Sequence, residues 1–260
     1  MSSNLIKFAE ENKTVLCFGV DPVKEKMPSG VSISNFFGSM IDTLLNEHQI
    51  ASIKPNYAFF AQYGFDGLKE LKHLLDKYKN KTHIILDAKR GDIGNTGKAY
   101  AKEIFDFWGA DAVTISPYMG FDSVEPFLRE GKTVYMLCKT SNKGSNDFQE
   151  IADSKGEKLY THVAKKAVEW KTGLVVGATS DSIDSIINIT KGQIPFLIPG
   201  VGTQGGDLEM VLNAIKANPM IHRINSSSGI SYAYQKTGEK PEVSALNEAK
   251  KLNSLIGRLF

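Results

Sequence analysis

Eight short apolar runs punctuate the chain, at residues 15–20, 51–53, 83–86, 112–115, 133–137, 173–176, 195–198 and 221–224. Most are continuous rather than alternating, as expected of strands covered on both faces in a parallel sheet. Between them lie amphipathic stretches at 34–47, 59–78, 96–108, 121–129, 158–170, 180–189, 207–217 and 242–259. In the first of these Phe36, Phe37, Met40, Ile41, Leu44 and Leu45 recur at helical spacing. Strand–helix alternation repeated eight times predicts a (β/α)8 TIM barrel, a single domain over residues 1–260. No Gly-x-Gly-x-x-Gly opens the first helix, which disfavours an open dinucleotide-binding sheet. The most irregular segment, 139–149, follows the fifth strand and is rich in Ser, Asn, Gly and Lys, so a lid over a site is expected there.

Composition narrows the partners. Thirty-one Lys+Arg against 29 Asp+Glu give a formal net charge of +2, so nothing global favours nucleic acid or a membrane surface, and any anion site must be local. The two cysteines, Cys17 and Cys138, sit inside apolar runs and read as buried free thiols. No Cys/His cluster has metal-ligand spacing. The N-terminal residues lack a signal-peptide pattern, and no apolar stretch is long enough to span a bilayer, so a cytoplasmic location is the expectation. The five histidines are scattered and read as structural.

In a barrel of this kind the active site lies at the C-terminal ends of the strands. The first run ends in Asp21, the second in Lys54-Pro55-Asn56, the third in Asp87-Ala88-Lys89-Arg90-Gly91-Asp92 and the fourth in Ser116-Pro117-Tyr118. Strands one to three thus deliver alternating charge. The seventh and eighth runs lead into glycine-rich and hydroxyl-rich turns before helices, including Gln204, Gly205, Ser227 and Ser228, where backbone N–H groups can hold a phosphate. Asp87 and Lys89 are two apart on an extended chain and share a face. An isolated Asp-x-Lys would be an exposed ion pair of little consequence. With Lys54 and Asp21 on neighbouring strand ends, the pattern points to a phosphorylated substrate with charged chemistry at its other end.

At these residues the chain resembles the orotidine 5'-phosphate decarboxylases, in their longer bacterial and archaeal branch. The resemblance spans nearly the whole chain, from Gly19-Val20-Asp21-Pro22 through Lys54-Pro55-Asn56, Asp87 to Ile93 and Ser116 to Gly120, to the run from Pro199 to Asp207. It implies cofactor-independent decarboxylation of orotidine 5'-phosphate to UMP and CO2 in pyrimidine biosynthesis, with no metal. Lys54, Asp87, Lys89 and Asp92 match the family's charged tetrad. Asp92 and Thr96 would reach the partner's site in a homodimer with shared active sites. Asp21 and Lys54 would hold ribose hydroxyls, and Ser116 the pyrimidine edge. Gln204, Gly205 and the strand-eight turn, with Ser227 and Ser228, would bind phosphate. One departure stands out: the family places an arginine in that turn, and here the aligned residue is Ser228. Backbone amides and hydroxyls, or the nearby Arg223, would then have to grip the phosphate.

The implied chemistry leaves a carbanion at C6 of the pyrimidine. Lys89 is the cation expected to stabilise and then protonate it. Two rivals stand beside this reading. A Mg²⁺-dependent sugar-phosphate enzyme of the same suprafamily would need a carboxylate ligand at the end of strand two, where Lys54 stands. A non-catalytic nucleotide-binding barrel would have no use for the complete tetrad.

Overall fold

The computed structural model describes residues 2–178, 182–201 and 206–260. In chain order its main elements are α1 (Ser3–Asn12), β1 (Leu16–Val20), α2 (Ile33–Asn46), β2 (Ser52–Pro55), α3 (Tyr57–Ala61), α4 (Gly64–Tyr78), β3 (His83–Arg90), α5 (Gly94–Lys102), β4 (Ala112–Ile115) and β5 (Thr133–Lys139). They continue with α6 (Leu159–Glu169), β6 (Gly173–Val176), α7 (Ile183–Thr190), β7 (Phe196–Pro199), α8 (Gly206–Ile215), β8 (Arg223–Ser226), α9 (Ser228–Ser231), α10 (Tyr234–Thr237) and α11 (Pro241–Ile256). The strands pair in parallel, each with its neighbour in sequence, and β1 closes on β8, so the expected (β/α)8 barrel is present.

Two apolar assemblies explain why the strands read as continuous rather than alternating. Leu16, Phe18, Val113, Val134, Met136, Leu174, Val176, Phe196 and Ile198 belong to the large core shared with the helices. Cys17, Ile85, Ala112, Tyr135, Val175 and Leu197 form a separate cluster, one residue out of step. That is the period-two pleat, with one face filling the barrel and the other covered by helices. Continuing the inward face upward by twos gives Asp21 from Cys17, Lys54 and Asn56 from Ser52, Asp87 from Ile85 and Thr114 from Ala112. On the last strand it gives Asn225 and Ser227 from Arg223. The interior is apolar at its middle and polar at its mouth because the side-chain type changes along one face of each strand.

The opposite end is partly covered. Helix α1, capped by Ser2 accepting from the Asn4 N–H, has no counterpart among the expected elements. It lies across the N-terminal strand ends: the Ser2 N–H donates to Thr133 Oγ1 at 2.9 Å and Asn4 Nδ2 to Asp111 Oδ1 at 2.9 Å. Arg223, fully buried, donates to the carbonyl of Leu5 in α1, to Met220 O and His222 O at 3.1 and 2.7 Å, and to Ser52 Oγ at 2.5 Å. Arg223 therefore does not grip a phosphate. It shares the inward face with Ser227 but starts its strand, about 13 Å toward the floor at 3.3 Å per residue.

Three helical expectations are corrected. The stretch 59–78 is split into α3 and α4, with Gly64 at φ +65° starting the second. Residues 121–129 form only two short 3-10 turns, Phe121–Ser123 and Glu125–Phe127, broken by Pro126. The helix of 96–108 begins at Gly94 and ends in a π-helical turn over Glu103–Phe107. No helix among the described residues is long and apolar enough to cross a membrane.

Candidate active site

At the barrel mouth a cavity of about 270 Å3 is lined by Asp21, Lys54, Asp87, Asn225, Ser227 and Ser228, among others. Its charged wall centres on one carboxylate. Lys54 Nζ donates to Asp87 Oδ2 at 3.0 Å, Lys89 Nζ donates to Asp87 Oδ1 at 2.7 Å, and the Thr114 hydroxyl donates to that same Oδ1 at 2.8 Å. Lys54 is 4% exposed and Asp87 8%, whereas the Lys89 side chain is half exposed. The array is thus a buried ion pair with a second, solvent-reaching cation on its open side.

The electrostatics follow from that arrangement. Burial alone would pull the Lys54 ammonium down, but Asp87 and then Asp21 outweigh it and hold the group above its ordinary range. Burial alone would push Asp87 up, but the charges of Lys54 and Lys89 and their hydrogen bonds hold its carboxyl well below the usual carboxylate range. Both members of the pair are charged at neutral pH. Unit charges about 4 Å apart interact by about 4 kcal/mol at an effective dielectric near 20, so this carboxylate exerts a comparable repulsion on any anion placed beside it.

The backbone supports the array through an irregularity. Pairing of β3 with β4 runs Leu86 to Val113 and then Arg90 to Ile115, so residues 87–89 oppose the single residue Thr114. Lys89 takes the left-handed φ of +46° within this bulge. Just beyond it, Arg90 is held by Glu103 at 2.9–3.2 Å and lies over the rings of Tyr57 and Tyr100.

On the other side of the cavity Asn225 Nδ2 donates to Ser227 Oγ at 3.2 Å, while Asn225 Oδ1 and Asp21 Oδ1 are buried without a hydrogen-bond partner. Gly19 lets this turn approach β1: a Cβ built there would fall 1.8 Å from Ser227 Oγ. Among the described residues lining this cavity the only cation is Lys54.

The structure therefore gathers Asp21, Lys54, Asp87, Lys89, Ser227 and Ser228. The Asp92 carboxylate caps the neighbouring Ile93 N–H at 2.8 Å, and Thr96 is exposed on α5; neither joins the array of its own chain. Ser116 lies past β4 in an adjacent cavity of about 570 Å3 with Tyr118, Cys138, Phe148 and Leu159. Gln204 and Gly205 lie outside the described residues. Sequence reasoning passed over Thr114 and Asn225. The signal for Thr114 is a lone hydroxyl in the apolar run Ala112-Val113-Thr114-Ile115, and for Asn225 its inward parity with Ser227.

A closed (β/α)8 barrel with a carboxylate clamped between two lysines at its C-terminal mouth defines the class: a barrel enzyme built for an anionic substrate. Residues 15–237 match the model of the orotidine 5'-phosphate decarboxylase / HUMPS family, and the chain belongs to that family. It is similar to the orotidine 5'-phosphate decarboxylase of Delftia acidovorans, 42% identical over 242 residues that cover 86% of each chain. The enzyme of that name from Herpetosiphon aurantiacus is 39% identical over 236 residues, again 86% of each. Among solved structures, OMP decarboxylase of Leishmania donovani superposes with a TM-score of 0.79 at 32% identity, over 98% of this chain and 99% of that one. A chain from Toxoplasma gondii does so with a TM-score of 0.86 at 31% identity, over 98% and 96%.

Proposed function

We propose that this protein decarboxylates orotidine 5'-phosphate to UMP and CO2 without a cofactor, supplying UMP to pyrimidine biosynthesis. The observation that carries the reading is the Lys54–Asp87–Lys89 array, whose Lys54 and Asp87 line the mouth cavity together with the hydroxyl-rich turn after β8. In this reading the 5'-phosphate occupies the Ser227–Ser228 end with the turn that contains Gln204 and Gly205, while Asp21 and Lys54 hold the ribose. The pyrimidine C6 carboxylate then faces Asp87 and Lys89, with Ser116 at the pyrimidine edge.

Cleavage of the C6–carboxylate bond leaves its electron pair on C6 as CO2 departs. The Lys89 ammonium stabilises that carbanion and donates one proton to it, giving UMP and a neutral amine that recovers its proton from solvent. Because Asp87 already binds Lys89 on Oδ1, the cation is in place before substrate arrives, which is preorganisation rather than induced charge.

A homodimer with shared sites belongs to the same proposal. Asp92 and Thr96 lie on the rim and are the residues a second copy would contribute. Beside them Ile93, Tyr118, Met119 and Phe148 are exposed, with Tyr118 82% accessible, an apolar surface suited to covering by that copy. The 139–149 segment, tied by Thr140 to Gln149 and by Lys139 to Ser145 and Glu150, is proposed to close over the pyrimidine end.

The deciding assay follows the absorbance loss of orotidine 5'-phosphate with purified protein in EDTA. Turnover unaffected by EDTA supports the reading. Turnover that requires Mg²⁺, or none at all, removes it.

A further inference from the structure

We infer that Thr114 is a positioning residue for this reaction, one hydroxyl setting both the direction of the Asp87 carboxylate and the backbone of Lys89. The inference rests on the reading that Asp87 and Lys89 face the reacting bond. It starts from the bulge, where residues 87–89 of β3 oppose Thr114 alone and the sheet ladder is interrupted. An interrupted ladder leaves backbone N–H groups in need of acceptors. The Lys89 N–H finds one in Thr114 Oγ1 at 3.1 Å, and the same oxygen donates its proton to Asp87 Oδ1 at 2.8 Å.

The polarity of this relay is forced. A backbone N–H can only donate and an ionised carboxylate can only accept, so the hydroxyl must accept from the first and donate to the second. Thr114 is buried, so no bulk water competes for either role. Lys89 sits at φ +46°, a conformation that costs a non-glycine residue free energy and persists only where its surroundings impose it. Arg90, gripped by Glu103, anchors the far end of the bulge, and the Thr114 hydroxyl anchors Lys89 itself. Without the hydroxyl, Asp87 Oδ1 keeps Lys89 Nζ but loses its fixed rotation, and the Lys89 backbone loses the acceptor that holds it left-handed. The ammonium remains present but is no longer aimed.

The test compares Thr114→Val, which keeps the shape and removes the hydroxyl, with Thr114→Ser, which keeps the hydroxyl. The valine variant is expected to lose about 100-fold in kcat, the scale of a misplacement near 1 Å. Its KM and its affinity for UMP are expected to stay within about twofold of the parent, because phosphate and ribose contacts are untouched. The serine variant is expected within about threefold of the parent in kcat. Thr114→Ala, which also removes both hydrogen bonds, serves if the valine variant is not folded by circular dichroism. Full kcat in the valine or alanine variant overturns the inference. So does equal damage in the serine variant, or a loss that falls on KM and UMP affinity instead of kcat. The unaltered protein is assayed first: if it does not turn over orotidine 5'-phosphate, the functional reading fails, and this inference with it.

Discussion

Lys54 Nζ lies 3.0 Å from Asp87 Oδ2 with both side chains buried, and Lys89 Nζ lies 2.7 Å from the other oxygen of the same carboxylate. The inner lysine lines the cavity beside the carboxylate, and the outer one reaches solvent on its open side. Their removal should therefore have different effects.

Lys89→Ala removes the outer cation and leaves the buried pair intact. Decarboxylation is expected to fall by a factor on the order of 10⁴ or more, the combined scale of lost proton donation and lost charge stabilisation. Calorimetric affinity for UMP should change by less than about threefold. A variant with parental kcat would exclude Lys89 as the proton donor.

Asp87→Asn strands Lys54 as an uncompensated buried cation. Losing one member of a buried pair costs about 3–5 kcal/mol. Urea unfolding should show a loss of that size together with loss of activity. A folding free energy unchanged within about 1 kcal/mol would mean that Lys54 finds another partner or water.

Ser228→Arg places a guanidinium at the end of the cavity where, among the described residues, no cation stands. Charge-assisted contacts to a phosphate contribute about 1.5–3 kcal/mol each. KM for orotidine 5'-phosphate is expected to drop about tenfold with kcat unchanged. An unaltered KM would show that the phosphate lies elsewhere.

Arg223→Met leaves the Leu5, Met220 and His222 carbonyls without their buried donor. Unsatisfied buried acceptors cost about 1–3 kcal/mol each before relaxation. The expected loss is about 3 kcal/mol in urea unfolding, with kcat at saturation retained because the side chain sits at the barrel floor. A drop in kcat without loss of stability would place Arg223 in the chemistry after all.

Stability should decline in mild acid. His222 is buried, accepts the Phe196 N–H on Nδ1 at 3.1 Å, and is pulled down to about 3 by burial and by the Arg223 cation. In an unfolded chain the imidazole titrates near 6.5. Between pH 6.5 and 3 the unfolded state binds a proton that the folded state refuses, so stability falls with pH by up to about 1.4 kcal/mol per unit. Above 6.5 the group contributes no pH dependence. His83, depressed by its own burial and then by Arg223 and Lys132, adds in the same direction. Urea midpoints measured from pH 7.5 to 5 should decrease, and His222→Asn should flatten the curve between 6.5 and 5.5. An unchanged slope in that variant would remove His222 as a source.

The barrel was legible in the sequence because its strands are buried on both faces and read as apolar runs of fixed spacing. The ends of those runs delivered Asp21, Lys54, Asp87 and Lys89 for the same reason: side-chain type changes where the pleat meets the mouth. What stayed hidden depends on contacts between distant segments. The direction of Arg223 is decided by α1, which carries Leu5 across the barrel floor, and no local pattern announces that docking. Thr114 acquires meaning only when the β3 bulge sets three residues against it. The 121–129 stretch shows apolar spacing overruled by Pro126.

The covered floor also bears on where the proposed reaction exchanges its proton. Arg223, bonded into α1 beneath the strands, occupies the barrel interior below Asp87. In the proposed reaction Lys89, half exposed where Lys54 is buried, would be the lysine that takes its replacement proton directly from solvent.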